Sequence, residues 1–221
     1  MEVAQRLGET CTLFGIDPWE SAIERARKKI IVKNINNTNI IKGFCENIPF
    51  NNEFFDMIIS NNGISVVKDK TKALEECFRV CKTNGRLIFT IIFPQMMNEF
   101  YLLLKESMKE CGINNYNDIV DEHIHTKRKD ISFYKTELSH IGFNIINLEA
   151  NSFYIRFLDA DTLFNYFFFR LCFMEGWLEI INKFDKTEIL IKLKQKLNLI
   201  ALQKGEIKLN IPFACIHCEK G

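Results

Sequence analysis

The sequence predicts an α/β fold with a mostly parallel sheet. Apolar runs of strand length alternate with segments whose apolar residues have helical spacing. Asp17-Pro18-Trp19-Glu20 is typical of the beginning of a helix, and Asn84-Gly85 is typical of the end of one. A repeated strand–helix order implies parallel strands that are covered by helices on both faces.

The first part of the chain supplies most of this pattern. Residues 1–7 are expected to form the last turns of a helix that stops at Gly8, and a short buried strand follows at 11–16. Asp17 is predicted to cap a helix that runs to about Lys33, with Pro18 in the first helical position. The remaining elements are strands at 39–44, 54–60 and 86–93, and a helix at 71–81.

The second part is predicted to be richer in helices. It contains helices at 96–111 and 130–141, a strand at 143–157, two or three helices within 159–202 and a final strand at 206–218. We therefore expect a core over residues 1–158, a helical insertion or lid over 159–205 and a closing strand over 206–221. The final strand is expected to be antiparallel to the others.

Size and charge limit the function classes. A chain of 221 residues fits one soluble domain, alone or with a small appended lobe. A formal net charge of +1 provides no overall field for binding nucleic acid or an anionic membrane surface. No signal peptide is recognised, and the most apolar stretch, 163–174, is too short to span a bilayer. We expect a cytoplasmic protein whose eight cysteines are reduced.

Three stretches, in this order, resemble class I S-adenosylmethionine-dependent methyltransferases of type 11, which have a Rossmann-like fold. The first, Leu13–Arg27, is similar to the second strand and the following helix of that family. The resemblance assigns Asp17 to the ribose of the donor and places Pro18 beside it. A carboxylate at the tip of a strand can accept hydrogen bonds from two ribose hydroxyls. Asp17 is also a good helix cap in its own right.

The second stretch, Ile40–Phe50, is similar to the third strand and the loop that packs on adenine. The resemblance assigns Phe44, Cys45 and Glu46 to this part of the site. Most relatives carry an acidic residue where Phe44 stands, so that contact to the adenine amino group is either lost or replaced by ring packing. The alternative is that Ile40, Ile41 and Phe44 are core residues only.

The third stretch, Phe54–Gly63 followed by residues 73–90, resembles the fourth strand, its helix and the fifth strand of the family. It places Ser60 and Asn61 at the carboxyl edge of the central sheet, where ligands of open α/β folds bind. An ordinary polar strand end is the alternative. Asp56 is interpreted as structural.

The family's glycine-rich donor loop has no counterpart in the sequence. No two of the ten glycines are two residues apart, and no G-x-x-x-x-G-K-[ST] sequence occurs. The resemblance places that loop upstream of Leu7, so we expect an N-terminally truncated fold without its central first strand. Two strands would then have unpaired edges. Either the start is misassigned, or the chain is a remnant, or another chain completes the sheet by homo-oligomerisation or chain exchange.

Two further segments have a structural and a functional interpretation. The aromatic segment Leu163–Trp177 is either core or the lid of an apolar acceptor pocket. Cys215 and Cys218 have the spacing of half a zinc site. Cys77 and Cys81 on a predicted helix, and His123 and His125 in a predicted polar loop, do not supply an evident second half. We expect these cysteines to be structural and no metal to be bound.

The resemblance implies methyl transfer from S-adenosylmethionine to a small acceptor, apolar if the aromatic segment lines its pocket. Such a transfer often needs no dedicated catalytic base; if one exists, His123, His125 and Tyr134 are candidates by residue type only. One alternative is a non-catalytic remnant or partner-dependent subunit that does not bind the donor alone. The other is a nucleotide-dependent oxidoreductase, which shares the alternating pattern and the ribose acid but not the Pro49-Phe50, Phe55-Asp56 and Asn84-Gly85 landmarks.

Overall fold

The computed structural model describes residues 2–221, so Met1 of the predicted first helix lies outside the described residues. The strands are β1 Leu13–Asp17, β2 Thr38–Lys42, β3 Phe55–Asn61, β4 Cys81–Ile92, β5 Phe143–Phe157 and β6 Ile207–Lys220. The helices are α1 Glu2–Leu7, α2 Glu20–Val32, α3 Gly63–Val66, α4 Lys70–Val80, α5 Asn98–Glu110, α6 Tyr116–Lys127, α7 Ile131–Ile141, α8 Ala160–Asn165, α9 Phe167–Cys172, α10 Met174–Ile180 and α11 Lys186–Lys204, with a 3-10 turn at Gly8–Thr10.

The strands form two hydrogen-bonded ladders. β1 pairs with β2 in parallel, in a register that runs from Leu13 opposite Thr38 to Asp17 opposite Lys42. The other four strands are ordered β3-β4-β6-β5. The predicted α/β fold is confirmed: the sheet is mixed, with parallel strands and an antiparallel C-terminal strand. Within residues 2–221, β1 has a strand neighbour only in β2, and β3 only in β4.

The chain divides into two compact units. The first contains residues 1–89, 135–147 and 217–221, and the second contains residues 90–134 and 148–216. The first unit buries apolar side chains from α2, α3, α4 and β4, including Ile23, Ile64, Leu74, Val80 and Leu87. The second unit is built around aromatic residues of α5, α9 and α10. The division into a core, a helical insertion and a closing strand remains a prediction.

The aromatic segment is only partly core. Phe169 and Trp177 are buried in the second unit, and the Trp177 ring stacks on Phe100 with 4.2 Å between centroids. Phe167 and Leu171, on the same short helix as Phe169, are 72% and 68% exposed. None of the helices within residues 2–221 combines the length and the apolar character needed to cross a bilayer.

Two predicted helix boundaries are wrong. α2 begins at Glu20 and its N-cap is Trp19, so Asp17 is the last residue of β1 and not the cap. Asn84-Gly85 does not stop α4, which ends at Val80; the pair lies inside β4. Asn84 has φ 61°, and a side chain on Gly85 would meet the Lys82 main-chain oxygen at 2.7 Å. The two residues therefore shape a tight bend in the strand.

Two predictions for the second unit also need correction. His123 and His125 lie in α6 and not in a loop, because Val120 and Ile124 on one face of this otherwise polar helix are buried. The helical part of residues 159–202 contains four helices, α8 to α11, where two or three were predicted. Short breaks at Tyr166 and Phe173 divide the aromatic segment, and these breaks have no proline or glycine to signal them.

Candidate functional site

Asp17 lies at the carboxyl end of β1, where the sequence predicts it. Its Oδ1 accepts a hydrogen bond from the main-chain N–H of Trp19 at 2.9 Å. This bond holds the carboxylate in the short connection to α2, and the residue stays partly exposed. An ionised carboxylate has about four acceptor positions, so contacts to two neighbouring hydroxyl groups remain open to it.

The loop that follows β2 is tied directly to Asp17. The main-chain oxygen of Asp17 accepts the N–H of Gly43 at 3.1 Å, one residue beyond the last ladder pair. A side chain on Gly43 would lie 3.1 Å from Cγ2 of Ile16, so the loop backbone passes close against β1. Because the two strands are parallel, Asp17 and the start of this loop lie at the same edge of the ladder.

A tight turn presents the residues assigned to adenine. Phe44 and Asn47 form an isolated antiparallel bridge, and the Asn47 N–H donates to the Phe44 oxygen at 3.1 Å. The Phe44 side chain is not core, because it is 60% exposed. Cys45 and Glu46, at the tip of the turn, are partly buried. The interpretation of Phe44 as a core residue is therefore wrong.

Cys45 is a protonated thiol at neutral pH. Its Sγ lies 3.5 Å from Oε2 of Glu46. Burial, together with the charge and hydrogen bond of Glu46, raises the pKa of the Cys45 thiol to about 12. A neutral thiol is a weak nucleophile, so Cys45 contributes packing to the turn and no anionic chemistry.

Ser60 and Asn61 end β3, as predicted. The Ser60 Oγ accepts the main-chain N–H of Ile64 at 3.1 Å and so fixes the start of α3. Asn62 takes a left-handed φ of 60°, and a side chain on Gly63 would approach the Ser60 Oγ to 2.8 Å. Ser60 therefore has a structural task in this turn, whatever else it contacts.

An aromatic cluster that the sequence analysis did not anticipate connects β1 with β3. The Phe14 ring of β1 lies 5.1 Å from the Phe50 ring, 5.9 Å from Phe54 and 6.0 Å from Phe55, centroid to centroid. Edge-to-face contacts at these distances are favourable. The cluster places the end of the 44–52 loop and the start of β3 against β1, within the first compact unit.

Glu76 and Arg79 of α4 hold the far half of the same loop. Oε2 of Glu76 accepts the Ile48 N–H at 2.8 Å, while Arg79 donates to the main-chain oxygens of Ile48 at 2.9 Å and Phe50 at 2.8 Å. Arg79 also donates to both carboxylate oxygens of Glu76, at 2.7 and 2.8 Å. This pair was not predicted from the sequence, although its i,i+3 spacing on a predicted helix was a usable signal.

The pair has the electrostatics of a partly buried ion pair. The hydrogen bond from Arg79 holds the pKa of the Glu76 carboxyl below its ordinary value, against the opposing effect of burial. The pKa of the Arg79 guanidinium is raised, first by the hydrogen bond to Glu76. Both groups are therefore charged at neutral pH.

The candidate bases lie in the second compact unit, and nothing in the structure assigns a catalytic role to them. Burial lowers the pKa of His123 from its ordinary value, with Lys127 and Arg128 acting in the same direction. Tyr134 is buried, and burial raises the pKa of its hydroxyl above the ordinary value. Proton abstraction by Tyr134 at neutral pH is therefore disfavoured.

The cysteines are all free within residues 2–221. Cys218 is buried on β6, and burial raises the pKa of its thiol to about 12, which disfavours the thiolate that a metal needs. Among the residues that the structure describes, no three His, Cys, Asp or Glu side chains are arranged to hold a metal ion.

Comparison with known proteins agrees with this geometry. Residues 1–89, which contain all the donor-site candidates, match the model of a family described as a methyltransferase domain. A solved structure of a candidate methyltransferase from Bacillus halodurans superposes on 99% of this chain and 87% of its own, with a TM-score of 0.61 and 17% identity. The chain has the class I methyltransferase fold. The resemblance of the three sequence stretches to a methyltransferase domain is confirmed over residues 1–89.

The curated relatives of this methyltransferase-fold chain carry a more specific description. The ubiquinone/menaquinone biosynthesis C-methyltransferase UbiE of Haemophilus ducreyi is 28% identical over 155 residues, which make up 64% of this chain and 58% of the relative. The chain thus spans little more than half of that relative's length. These matches do not favour the oxidoreductase alternative.

The fold alone does not define the reaction. The solved [4+2]-cyclase SpnF superposes on 99% of this methyltransferase-fold chain and 68% of its own, with a TM-score of 0.55 and 13% identity. One architecture therefore carries different activities, and function has to be inferred from the site.

Proposed function

We propose that the chain binds S-adenosylmethionine at the carboxyl end of β1 and transfers its methyl group to a small acceptor. The observation that carries the proposal is the placement of Asp17: its carboxylate stands at the tip of a strand, and its main chain is bonded to the loop after β2. A ribose whose two hydroxyls donate to Asp17 has its base directed toward that loop. The match of residues 1–89 to a methyltransferase domain supports this assignment.

The 44–47 turn has the character expected of an adenine-binding surface. The exposed Phe44 ring offers an apolar face for stacking. The neutral Cys45 thiol adds no charge of its own to the tip of the turn. Pro18 lies beside Asp17, and Ser60 and Asn61 end β3 of the same unit. We assign these seven residues to donor binding: Asp17, Pro18, Phe44, Cys45, Glu46, Ser60 and Asn61.

The proposed reaction requires little chemistry from the protein. A lone pair or carbanion of the acceptor forms a bond to the sulfonium methyl carbon while the carbon–sulfur bond breaks. The sulfur keeps the bonding electron pair, which gives S-adenosylhomocysteine. The protein aligns the two reactants and excludes water. A catalytic base is needed only if the acceptor must lose a proton, and no residue is assigned to that role.

We propose that the acceptor is apolar. The exposed aromatic and aliphatic side chains around α9 support this: Leu158, Tyr166, Phe167, Phe168 and Leu171. Exposed apolar groups in such a cluster are typical of surfaces that cover apolar ligands. The relative from Haemophilus ducreyi is named as a C-methyltransferase of ubiquinone and menaquinone biosynthesis. A cytoplasmic location is part of the same proposal.

We also propose that an additional strand completes the sheet, donated by homo-oligomerisation or chain exchange. Within the described residues, β1 and β3 each have one edge without a strand neighbour. Met57 and Ile59, on the same side of β3, are 48% and 51% exposed. A strand edge without a strand neighbour, beside exposed apolar side chains, favours strand addition.

The donor assignment is tested by removing the Asp17 charge. Asp17→Asn keeps an acceptor for the Trp19 N–H and loses the carboxylate that would bind both ribose hydroxyls. We expect its affinity for S-adenosylhomocysteine, measured by calorimetry, to fall about tenfold or more. Asp56→Asn is the matched control, because Asp56 is an exposed carboxylate of β3 paired with Lys82 at 2.7 Å. Equal effects of both substitutions would contradict the assignment.

A further inference from the structure

We propose that Glu76 and Arg79 are positioning residues for the methyl donor, because they hold the 44–52 loop in the conformation that receives adenine. Neither residue lies among those assigned to donor contact. The inference rests on the proposed function and adds to it an interaction that prepares the site before the ligand binds.

Every N–H donor of the Arg79 guanidinium makes a hydrogen bond to Glu76 or to the loop. Its Nε and one Nη2 hydrogen go to Glu76, the other Nη2 hydrogen goes to the Ile48 oxygen, and Nη1 goes to the Phe50 oxygen and to Oδ1 of Asn52 at 3.0 Å. These five bonds match the five donors of a guanidinium in their fixed planar geometry. Lysine has three donors on one atom and cannot reproduce the arrangement.

Ile48 shows that the pair fixes the loop backbone and not only a side chain. Its N–H donates to Glu76 and its oxygen accepts from Arg79, so both main-chain groups of one residue are bound by one ion pair. The Ile48 side chain is itself buried. A loop residue held at its N–H, its oxygen and its side chain has little conformational freedom left.

The pair acts between two other anchors. The loop starts at the bond from the Gly43 N–H to the Asp17 oxygen. It ends where the Glu53 N–H donates to the Arg79 main-chain oxygen at 2.9 Å and the Phe54 N–H donates to that of Val80 at 2.8 Å. Without the side chains of Glu76 and Arg79, the stretch between these anchors would have to be ordered by the ligand, at a cost to affinity.

The burial of Glu76 distinguishes this ion pair from an exposed ion pair on the same helix. Glu76 is only 7% exposed, so its charge requires Arg79 for compensation. A second i,i+3 pair on the same helix, Lys72 with Glu75 at 3.5 Å, is half exposed, so water solvates both of its charges. This second pair provides a matched control on α4.

The experiment compares Arg79→Lys and Glu76→Gln with the double control Lys72→Met/Glu75→Gln in the full chain. Folding is checked by circular dichroism, loop order by hydrogen exchange of the Ile48 amide, and donor affinity by calorimetry with S-adenosylhomocysteine. We expect Arg79→Lys to speed exchange at Ile48 and to weaken binding by about tenfold or more, because the loop is no longer preorganised. Glu76→Gln, which keeps an acceptor for Ile48, should have a smaller effect. The control should stay within about twofold of the wild type.

The outcomes separate this inference from the proposed function. A folded wild-type chain that does not bind S-adenosylhomocysteine overturns the proposed function and, with it, the donor role of the pair. Wild-type binding that persists unchanged in Arg79→Lys, while Ile48 exchanges faster, overturns the positioning role alone. If Arg79→Lys does not fold, Glu76→Gln decides: weaker binding with faster exchange supports the inference, and unchanged binding contradicts it.

Discussion

The ammonium group of Lys220 donates a hydrogen bond to the main-chain oxygen of Phe78 at 3.0 Å and lies 4.4 Å from the centroid of the Phe78 ring. It also donates to the Cys81 oxygen at 2.9 Å, although the residue is only 8% exposed. The end of β6 thus binds two carbonyl groups at the C-terminal end of α4, where a positive charge is favoured. Lys220 connects β6 to the helix that carries Glu76 and Arg79.

Lys220→Met should destabilise the chain. The substitution leaves the Phe78 and Cys81 oxygens without this donor in a buried place, and we expect a loss of about 2 kcal/mol in the free energy of unfolding. Urea denaturation followed by circular dichroism measures it. Lys72→Met, at an exposed lysine of α4, should change stability by less than about 0.5 kcal/mol. Equal losses in both variants would show that the buried contacts of Lys220 contribute nothing.

Acidification should lower the free energy of unfolding, partly because Glu76 becomes protonated. The pKa of its carboxyl is lower in the folded chain than in the unfolded one, chiefly through Arg79. The resulting stabilisation is complete above the unfolded pKa and is lost as the pH falls toward the folded pKa. Urea midpoints measured from about pH 6 to about pH 3 should therefore decline less steeply in Glu76→Gln than in the wild type. Parallel curves would contradict the assigned ion pair.

The Cys45 thiol should alkylate slowly at neutral pH. With a pKa of about 12, its thiolate fraction is small and rises about tenfold for each pH unit up to that value. Iodoacetamide labelling followed by peptide mass spectrometry measures the rate. Glu46→Gln removes a charge that raises this pKa, so the variant should label faster at the same pH. A wild-type rate that levels off near pH 9 would show an ordinary thiol.

The stability of the second unit should depend on the buried residues of the aromatic segment. Trp177 stacks on Phe100, and its Nε1 donates to the Tyr101 hydroxyl at 3.4 Å. Trp177→Ala should cost about 3–5 kcal/mol in unfolding free energy, because it leaves a large cavity. Phe167→Ala, at an exposed ring of α9, should cost less than about 0.5 kcal/mol. A large loss from Phe167→Ala would show that the exposed side chains are packed in solution.

The sequence predicted the order of elements well where the signals are local. Strand β5 has the predicted bounds, Phe143–Phe157, and α7 begins at Ile131, one residue after its predicted start. Ser60 and Asn61 fall at a strand end because an apolar run stops there. The position of Asp17 was correct although its predicted role as the cap of α2 was wrong. A residue between a strand and a helix satisfies either pattern, and only the dihedral angles distinguish them.

What the sequence did not predict depends on contacts between distant residues. The bond between Ile48 and Glu76 joins residues 28 positions apart, and no local pattern indicates that a helix side chain will bind a loop backbone. The Phe14 cluster likewise brings together rings from β1, the loop and β3. Asn84-Gly85 is a common helix stop, but here it produces a bend in β4, because α4 had already ended at Val80.

The measurement that tests the central claim most directly is a titration of the purified chain with S-adenosylhomocysteine, followed by heat and by Trp19 fluorescence. The Trp19 side chain is 71% exposed, and the Trp19 main-chain N–H donates a hydrogen bond to the Asp17 carboxylate. A ligand bound at Asp17 therefore changes the surroundings of the indole ring. We predict saturable binding at one site with a dissociation constant in the range of about 1–100 μM and a parallel fluorescence change. A folded chain that gives neither heat nor a fluorescence change at about 1 mM ligand would contradict the proposal that this site binds the methyl donor.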